Sequence, residues 1–212
     1  MSEQALAPRL EGLGRAAGIT LSEIQVVQLQ SYLQLLARWN ERTNLTSLEL
    51  AGFPETTLQK LIGEPFRAAA IMPAQACRWF DLGSGGGSPA IPLKVVRPDL
   101  SLWMVESRSK KVSFLREASR VVDLDTTTVV AGRVEDLSGL GFRSASDVVT
   151  VRAVRLSPQM RAAVDRLLAP DGRLVLFGGL WETAASDGWS TPVGVTVPSG
   201  LAVFDRQSPS CQ

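Results

Sequence analysis

Apolar residues recur every three or four positions over residues 20–42. Ile24, Val27, Tyr32, Leu35, Leu36 and Trp39 fall mostly on one face, which predicts an amphipathic helix. Thr20 with Glu23 reads as its capping box. Polar turn formers from Asn40 to Ser47 end it. A second helical pattern covers about residues 55–70 after Pro54, interrupted by Gly63 and Pro65. From Pro73 onward the texture changes. Short apolar runs at 78–82, 101–105, 127–131, 147–151 and 173–177 read as strands. Helices are predicted over 89–96, 110–122 and 157–168, with Pro89 in the first turn of one and Ser157-Pro158 capping another. Residues 193–197 and 201–205 read as a closing hairpin around Pro198-Ser199-Gly200. Strands alternating with helices predict an α/β fold with a mainly parallel, doubly wound sheet. Residues 1–72 form a helical cap and 73–212 the sheet domain, in one compact unit. The Gly/Ser/Trp-rich stretch 179–191 reads as a mobile loop beside the site.

Composition narrows the chemistry. With 212 residues, 45% apolar and 20% charged, the chain can build one α/β domain with a sizeable core. It contains no uninterrupted apolar run of membrane-spanning length, and the first fifteen residues lack a hydrophobic signal core, so a cytoplasmic location is expected. Cys77 and Cys211 are too few and too far apart for a metal site, and Cys77 reads as a core thiol. The chain has no histidine. Imidazole bases, Ser-His-Asp triads and most zinc sites are thereby excluded. Catalysis is left to carboxylates, Lys, Tyr32, backbone groups or a cofactor. A net charge of +1 means that nucleic-acid binding would need a local basic patch.

The densest chemical signal is Asp81-Leu82-Gly83-Ser84-Gly85-Gly86-Gly87, at the end of the first predicted strand. Glycines at alternate positions allow a tight turn and let a ligand reach the main chain without meeting a Cβ. A dinucleotide fingerprint would need its third glycine where Ser88 stands, so that motif fails. The spacing Asp-x-Gly-x-Gly-x-Gly instead resembles motif I of Rossmann-like methyltransferases. In that motif Asp81 meets the methionine end of S-adenosylmethionine, and Gly83, Gly85 and Gly87 shape the turn. Glu106 ends the second strand, where an acid can accept hydrogen bonds from ribose hydroxyls. Gly132-Arg133-Val134-Glu135-Asp136 follows the third strand, where such folds pack the adenine; Val134 would meet the ring and Glu135 orient the loop, while Asp136 reads as an ordinary helix-start acid.

A longer set of residues resembles one family. Trp39-Asn40, Asn44-Leu45-Thr46-Ser47, the stretch 81–98 with Ile91-Pro92-Leu93 and Arg97-Pro98, Lys110 to Leu115, Arg133-Val134-Glu135 and Arg152-Ala153 occur in order. Together they resemble the RsmG (GidB) family of bacterial 16S ribosomal RNA guanine-N7 methyltransferases, over about residues 21–179. The resemblance implies a Rossmann-like class I methyltransferase fold, with a helical cap over a seven-stranded sheet. It also implies S-adenosyl-L-methionine as cofactor, with contacts at Gly83, Ser88, Val134, Glu135 and Arg152. The methionine carboxylate and an RNA phosphate are both open as targets for Arg152. The chain departs from the family in places. Gln59-Lys60-Leu61-Ile62-Gly63-Glu64 stands where the family carries Arg-His-x-x-Asp-Ser, Gly178-Gly179 where it carries Lys-Gly, and Ser88 where an apolar residue is usual.

Guanine N7 has an in-plane lone pair and carries no proton. It can attack a methyl sulfonium without a general base, so no catalytic proton-transfer residue is assigned and no metal is expected. The partner implied is 16S rRNA or the small ribosomal subunit, met by a monomer. Candidate RNA contacts are Arg42, Asn44, Lys60, Arg108, Lys110, Lys111 and Arg155. Trp39 reads as core rather than a stacking platform. Two alternatives stay open: a methyltransferase of the same fold with another substrate, and a catalytically silent cofactor- or ribosome-binding homologue.

Overall fold

A computed structural model describes residues 6–75, 77–152, 157–178, 189–192 and 196–206. Seven strands form one sheet: β1 Arg78–Leu82, β2 Ser101–Glu106, β3 Thr127–Ala131, β4 Ser146–Arg152, β5 Leu168–Phe177, β6 Trp189–Ser190 and β7 Leu201–Arg206. Their spatial order is β3-β2-β1-β4-β5-β7-β6. The first five run parallel, whereas β7 pairs antiparallel with β5 and β6 with β7. The chain winds outward one way from β1 through β2 to β3, and the other way from β4 to β5. Such a reversal opens a crevice at the carboxyl ends of the two central strands.

Helices cover both faces. The cap consists of α1 Ala7–Ala16, α2 Glu23–Asn40 and a continuous run of α3 Glu55–Leu58, a π segment Gln59–Gly63 and α4 Glu64–Ala69. It packs on one face beside α5 Ala90–Val96 and α6 Ser109–Val121, and α7 Pro158–Leu167 packs on the other. Leu10, Leu29, Tyr32 and Phe66 of the cap share one hydrophobic cluster with Trp79, Leu102 and Val175 of the sheet. Phe80, Leu82, Val149 and Val151 turn to the opposite face, against Met160 and Val164 of α7. Side chains alternate along a strand, so Asp81, Thr150 and Arg152 all project toward the cap.

Several local expectations are corrected. α1 was not legible in the sequence; Leu10 and Leu13 bury it, and Pro8 falls in its first turn. The capping box of α2 belongs to Ser22 and Gln25 rather than Thr20 and Glu23: Gln25 N–H donates to Ser22 Oγ and Ser22 N–H to Gln25 Oε1. Gln25 Nε2 also donates to Val95 O, tying the helix start to α5. Ile24 and Val27 are 72% and 59% exposed. Tyr32, Leu35 and Leu36 are buried as expected, and Val26, Leu29 and Leu33 complete the stripe in place of Ile24 and Val27. Gly63 and Pro65 interrupt the α geometry without ending the helix: a π segment carries the chain through Gly63, and the Lys60 and Leu61 carbonyls one turn before Pro65, which has no N–H to donate, accept from Arg152 Nη1 and Ser88 Oγ. Pro89 is the N-cap of α5 and not its first residue, after a cis Ser88–Pro89 peptide.

At the far edge, β5 starts at Leu168 rather than 173, with a register shift opposite β4 and Asp171 at φ 61°. β7 pairs with Trp189–Ser190; of the expected strand 193–197, residues 193–195 lie outside the described residues and 196–197 carry no strand. Residues 179–188 of the expected loop also lie outside. Among the described residues, no helix is long and apolar enough to cross a membrane, and no His/Cys/Asp/Glu group could hold a metal ion.

Candidate active site

A cleft of about 660 Å³ lies at the carboxyl ends of the central strands. One wall is the glycine turn after β1, with Gly83, Ser84, Gly85 and Gly86. Glu106, Arg108 and Lys111 form the β2 side, and Gly132, Val134 and Glu135 the β3 side. The opposite wall is the cap loop with Asn44, Leu45 and Thr46, joined by Leu61, Arg152 and Met160.

The turn is held from below and from above. Gly83 N–H and Ser84 N–H both donate to Val105 O, at 2.9 and 3.1 Å, and Gly87 N–H donates to Ser84 O at 2.7 Å. Gly83, Gly85 and Gly87 have φ of 72°, 53° and 84°, the left-handed region that side chains disfavour. A Cβ on Gly87 would lie 2.6 Å from Ile91 Cδ1 and 3.3 Å from Tyr32 Cε2. From the cap, Tyr32 Oη donates to Gly86 O at 2.8 Å. Burial pushes the Tyr32 hydroxyl well above its ordinary range, so it remains a donor. Asn40 Oδ1 accepts from Leu45 N–H and Thr46 N–H at 2.9 and 3.0 Å, fixing the loop that faces the turn.

Glu106 is buried and bridges two loops. Its Oε2 accepts from Gly85 N–H at 3.1 Å and its Oε1 from Arg108 N–H at 2.8 Å. A carboxylate offers about four acceptor positions, so two remain for a ligand in the cleft. Asp81 lies beneath the turn and is 1% exposed. Its Oδ1 accepts from Thr150 Oγ1 at 2.5 Å, Thr150 in turn accepts from Trp79 Nε1, and Oδ2 is buried without a partner. Burial raises the Asp81 carboxyl from 3.8 to about 6, against the Thr150 hydrogen bond, the nearby Ser84 hydroxyl (which donates to Asp81 O) and the Arg152 charge, which lower it.

Arg152, at the end of β4, stands over the Phe177 ring at 4.7 Å. Its Nη1 donates to Lys60 O at 2.8 Å, and its Nη2 lies 2.9 Å from Glu64 Oε2. Burial lowers its pKa, opposed by Glu64 and Asp81. Its ion pair with Glu64 is largely sheltered rather than a solvated surface pair, because both side chains are under one-fifth exposed. Ser88 Oγ donates to Leu61 O at 2.9 Å. The π segment therefore receives hydrogen bonds from two sequence-predicted site residues.

Gly83, Gly85, Ser88, Glu106, Val134, Glu135 and Arg152 all line one cleft, together with Asn44, Arg108 and Lys111. Asp81 and Gly87 do not line it: they lie under the turn and shape it. Lys60 and Lys110 are exposed and off the lining, Arg42 is exposed at the end of α2, and Arg155 lies outside the described residues. Trp39 packs edge-on against Phe114 and donates to Glu117 Oε2 at 3.2 Å, so its ring belongs to the packing. Sequence reasoning missed the supporting roles of Tyr32, Asn40, Glu64 and Thr150. Only Asn40 carried a signal, as an Asx residue just before a polar turn.

A parallel sheet with a glycine turn and a strand-end acid at its switch point is the architecture of class I methyltransferases. Solved structures agree at the level of fold. A methyltransferase from Geobacter sulfurreducens aligns with a TM-score of 0.56 at 14% identity, covering 82% of this chain and 89% of that one. A structure described as MtNAS in complex with MTA and tNA aligns with a TM-score of 0.56 at 16% identity, covering 99% and 90%. The family GidB, described as rRNA small subunit methyltransferase G, matches residues 25–187. Ribosomal RNA small subunit methyltransferase G of Ralstonia nicotianae is 36% identical over 203 residues, 90% of this chain and 89% of its own. The protein of that name from Xanthomonas oryzae pv. oryzae is 34% identical over 198 residues, with coverage of 90% and 89%. The chain belongs to the rRNA small subunit methyltransferase G family, and as a member it is an S-adenosylmethionine-dependent methyltransferase.

Proposed function

We propose that this enzyme methylates N7 of a guanine in 16S rRNA, as a monomer in the bacterial cytoplasm, by direct attack without a general base. The observation that carries the reading is the meeting of the glycine turn and Glu106 in one cleft, opposite the Asn44-Leu45-Thr46 wall.

The residues present fit S-adenosylmethionine. A Cβ on Gly85 would enter the cleft, with only Gly83 O and Lys111 Nζ within 4 Å, at 3.6 and 3.7 Å. Glu106 keeps free acceptor positions facing the cleft, and the cleft volume falls in the range of about 300–1,000 Å³ usual for cofactor sites. When bound, the cofactor supplies a methyl group on positively charged sulfur. Gly83, Gly85 and Ser88 would bound its amino-acid end, with Arg152 offering charge to the carboxylate. Glu106 would accept from the ribose hydroxyls. Val134 would pack on the adenine, and Glu135 would orient that loop.

Guanine N7 presents its lone pair in the ring plane, so the chain has only to orient it and exclude water. Positioning of this kind contributes on the order of 7–11 kcal/mol. No histidine is needed, and the chain has none. A-form RNA hides the N7 edge in a narrow major groove, so the base must be presented unstacked. Asn44, Arg108 and Lys111 on the cleft lining are placed to receive it.

Incubation with tritiated-methyl cofactor tests the reading on undermethylated small subunits, with naked 16S RNA in parallel. Label in either RNA is expected. Cofactor binding without transfer to any RNA would contradict it.

A further inference from the structure

We propose that the exposed face of α6 and the groove at its far end form a phosphate-binding track for the RNA backbone, leading away from the reacting base. The proposal rests on the rRNA reading and extends it to a surface outside the cleft. From Arg108 to Arg120 the chain carries five cations, Arg108, Lys110, Lys111, Arg116 and Arg120, against a single acid, Glu117. That acid is half-buried and committed to the Trp39 indole. On a 3.6-residue helix, Lys110, Ser113, Arg116 and Arg120 share one stripe. All four are exposed, while Val112, Phe114, Leu115 and Ala118 bury the other side.

Clustering on one helix, with no carboxylate engaged among the described residues, sets these five cations apart. Arg9, Arg15, Arg78, Arg97, Arg152 and Arg173 each have an acidic partner within 4 Å. Among the described residues, none of the five cations at α6 has one. Unpaired guanidinium groups on a rigid helix are well suited to phosphate, which they meet bidentately.

The row has a direction. Its start lines the cleft through Arg108 and Lys111. Its end, about 14 Å from Lys111 to Arg120 at the helical rise, opens into a second groove of about 360 Å³. Arg116, Ser119, Arg120, Asp123, Leu124 and edge-strand residues Thr127 and Val129 line that groove. Asp123 disfavours a free small anion there. An extended polyanion that meets Lys110, Arg116 and Arg120 in succession gains from the whole row. Neither α6 stripe residues nor the groove touch the cofactor contacts, so the two functions separate by mutation.

The test is binding of naked 16S rRNA by wild type, Arg116→Glu/Arg120→Glu and Arg116→Gln/Arg120→Gln, as a function of salt. The neutral pair guards against misfolding from charge reversal at the helix end. Losing two phosphate contacts lowers the slope of log affinity against log salt by about 1.5 and the affinity at 0.15 M salt roughly twentyfold. Cofactor affinity stays unchanged, and KM for RNA rises with kcat retained. Wild-type affinity and slope in both variants, with wild type binding normally, would overturn the track while leaving the methyltransferase reading intact. Failure of wild type itself to bind or methylate RNA would overturn both.

Discussion

Asp81 offers a test in which the structure fixes both sign and size. Its carboxyl titrates near 6 in the fold, against an ordinary 3.8, chiefly because it is fully buried. Between those two values the folded chain holds a proton that the unfolded chain has released. Stability contributed by this group is therefore full below pH 3.8 and is lost as the pH rises through 6. A shift of about two units corresponds to about 3 kcal/mol. Asp81→Asn removes the titration and keeps the shape, so every other pH-dependent group cancels in the comparison. Urea unfolding of the cofactor-free protein from pH 4 to 7.5, at fixed ionic strength, reads the difference. Wild type should weaken relative to the variant by about 2 kcal/mol over that range, most of the full contribution, whatever their offset at pH 4. Parallel profiles would refute the placement of a solvent-excluded carboxylate under the turn.

Other outcomes follow from the same contacts. Glu106→Ala should weaken S-adenosylmethionine binding at least about tenfold by calorimetry, since hydrogen bonds to a charged acceptor are worth about 1.5–3 kcal/mol each; unchanged affinity would remove Glu106 from the site. Gly87→Ala should cost about 1–3 kcal/mol in denaturant unfolding, because its Cβ meets Ile91 and its φ is 84°. Arg152→Ala should reduce methyl transfer and also lower stability by about 2 kcal/mol, because Glu64 is left in a sheltered site without its cation; restored stability in Arg152→Ala/Glu64→Gln checks the cause. Transfer measured at saturating substrates should show a flat kcat from pH 7 to 9, as no proton moves in the step; a bell-shaped profile would require an acid or base that the site does not assign.

The parallel sheet and its ligand end were legible because each central strand is a short apolar run with a turn signal after it. The chemistry of the site was legible where it is local, as at the glycine turn, or keyed to strand ends, as at Glu106. What escaped was set by tertiary packing. The first two turns of α2 were misread because Ile24 and Val27 fit the helical period as well as Val26 and Leu29 do. Contact with α1, α5 and α6 decides which stripe is buried. β6 is two residues long and exists through its pairing with the end of β7. Tyr32 braces Gly86 across 54 residues of sequence, and Thr150 reaches Asp81 across 69. Neither partnership leaves a periodic trace. Glu64 looked like a departure from the family pattern, and the structure gives it a partner in Arg152.

The most direct measurement is mass spectrometry of nucleosides from undermethylated 16S rRNA after treatment with the enzyme and cofactor carrying a deuterated methyl group. The account predicts a mass-shifted N7-methylguanosine with wild type and none with Gly85→Val, whose branched side chain would enter the cleft from a left-handed backbone position. Label on another atom or another base, or equal labelling by the Gly85 variant, would contradict it.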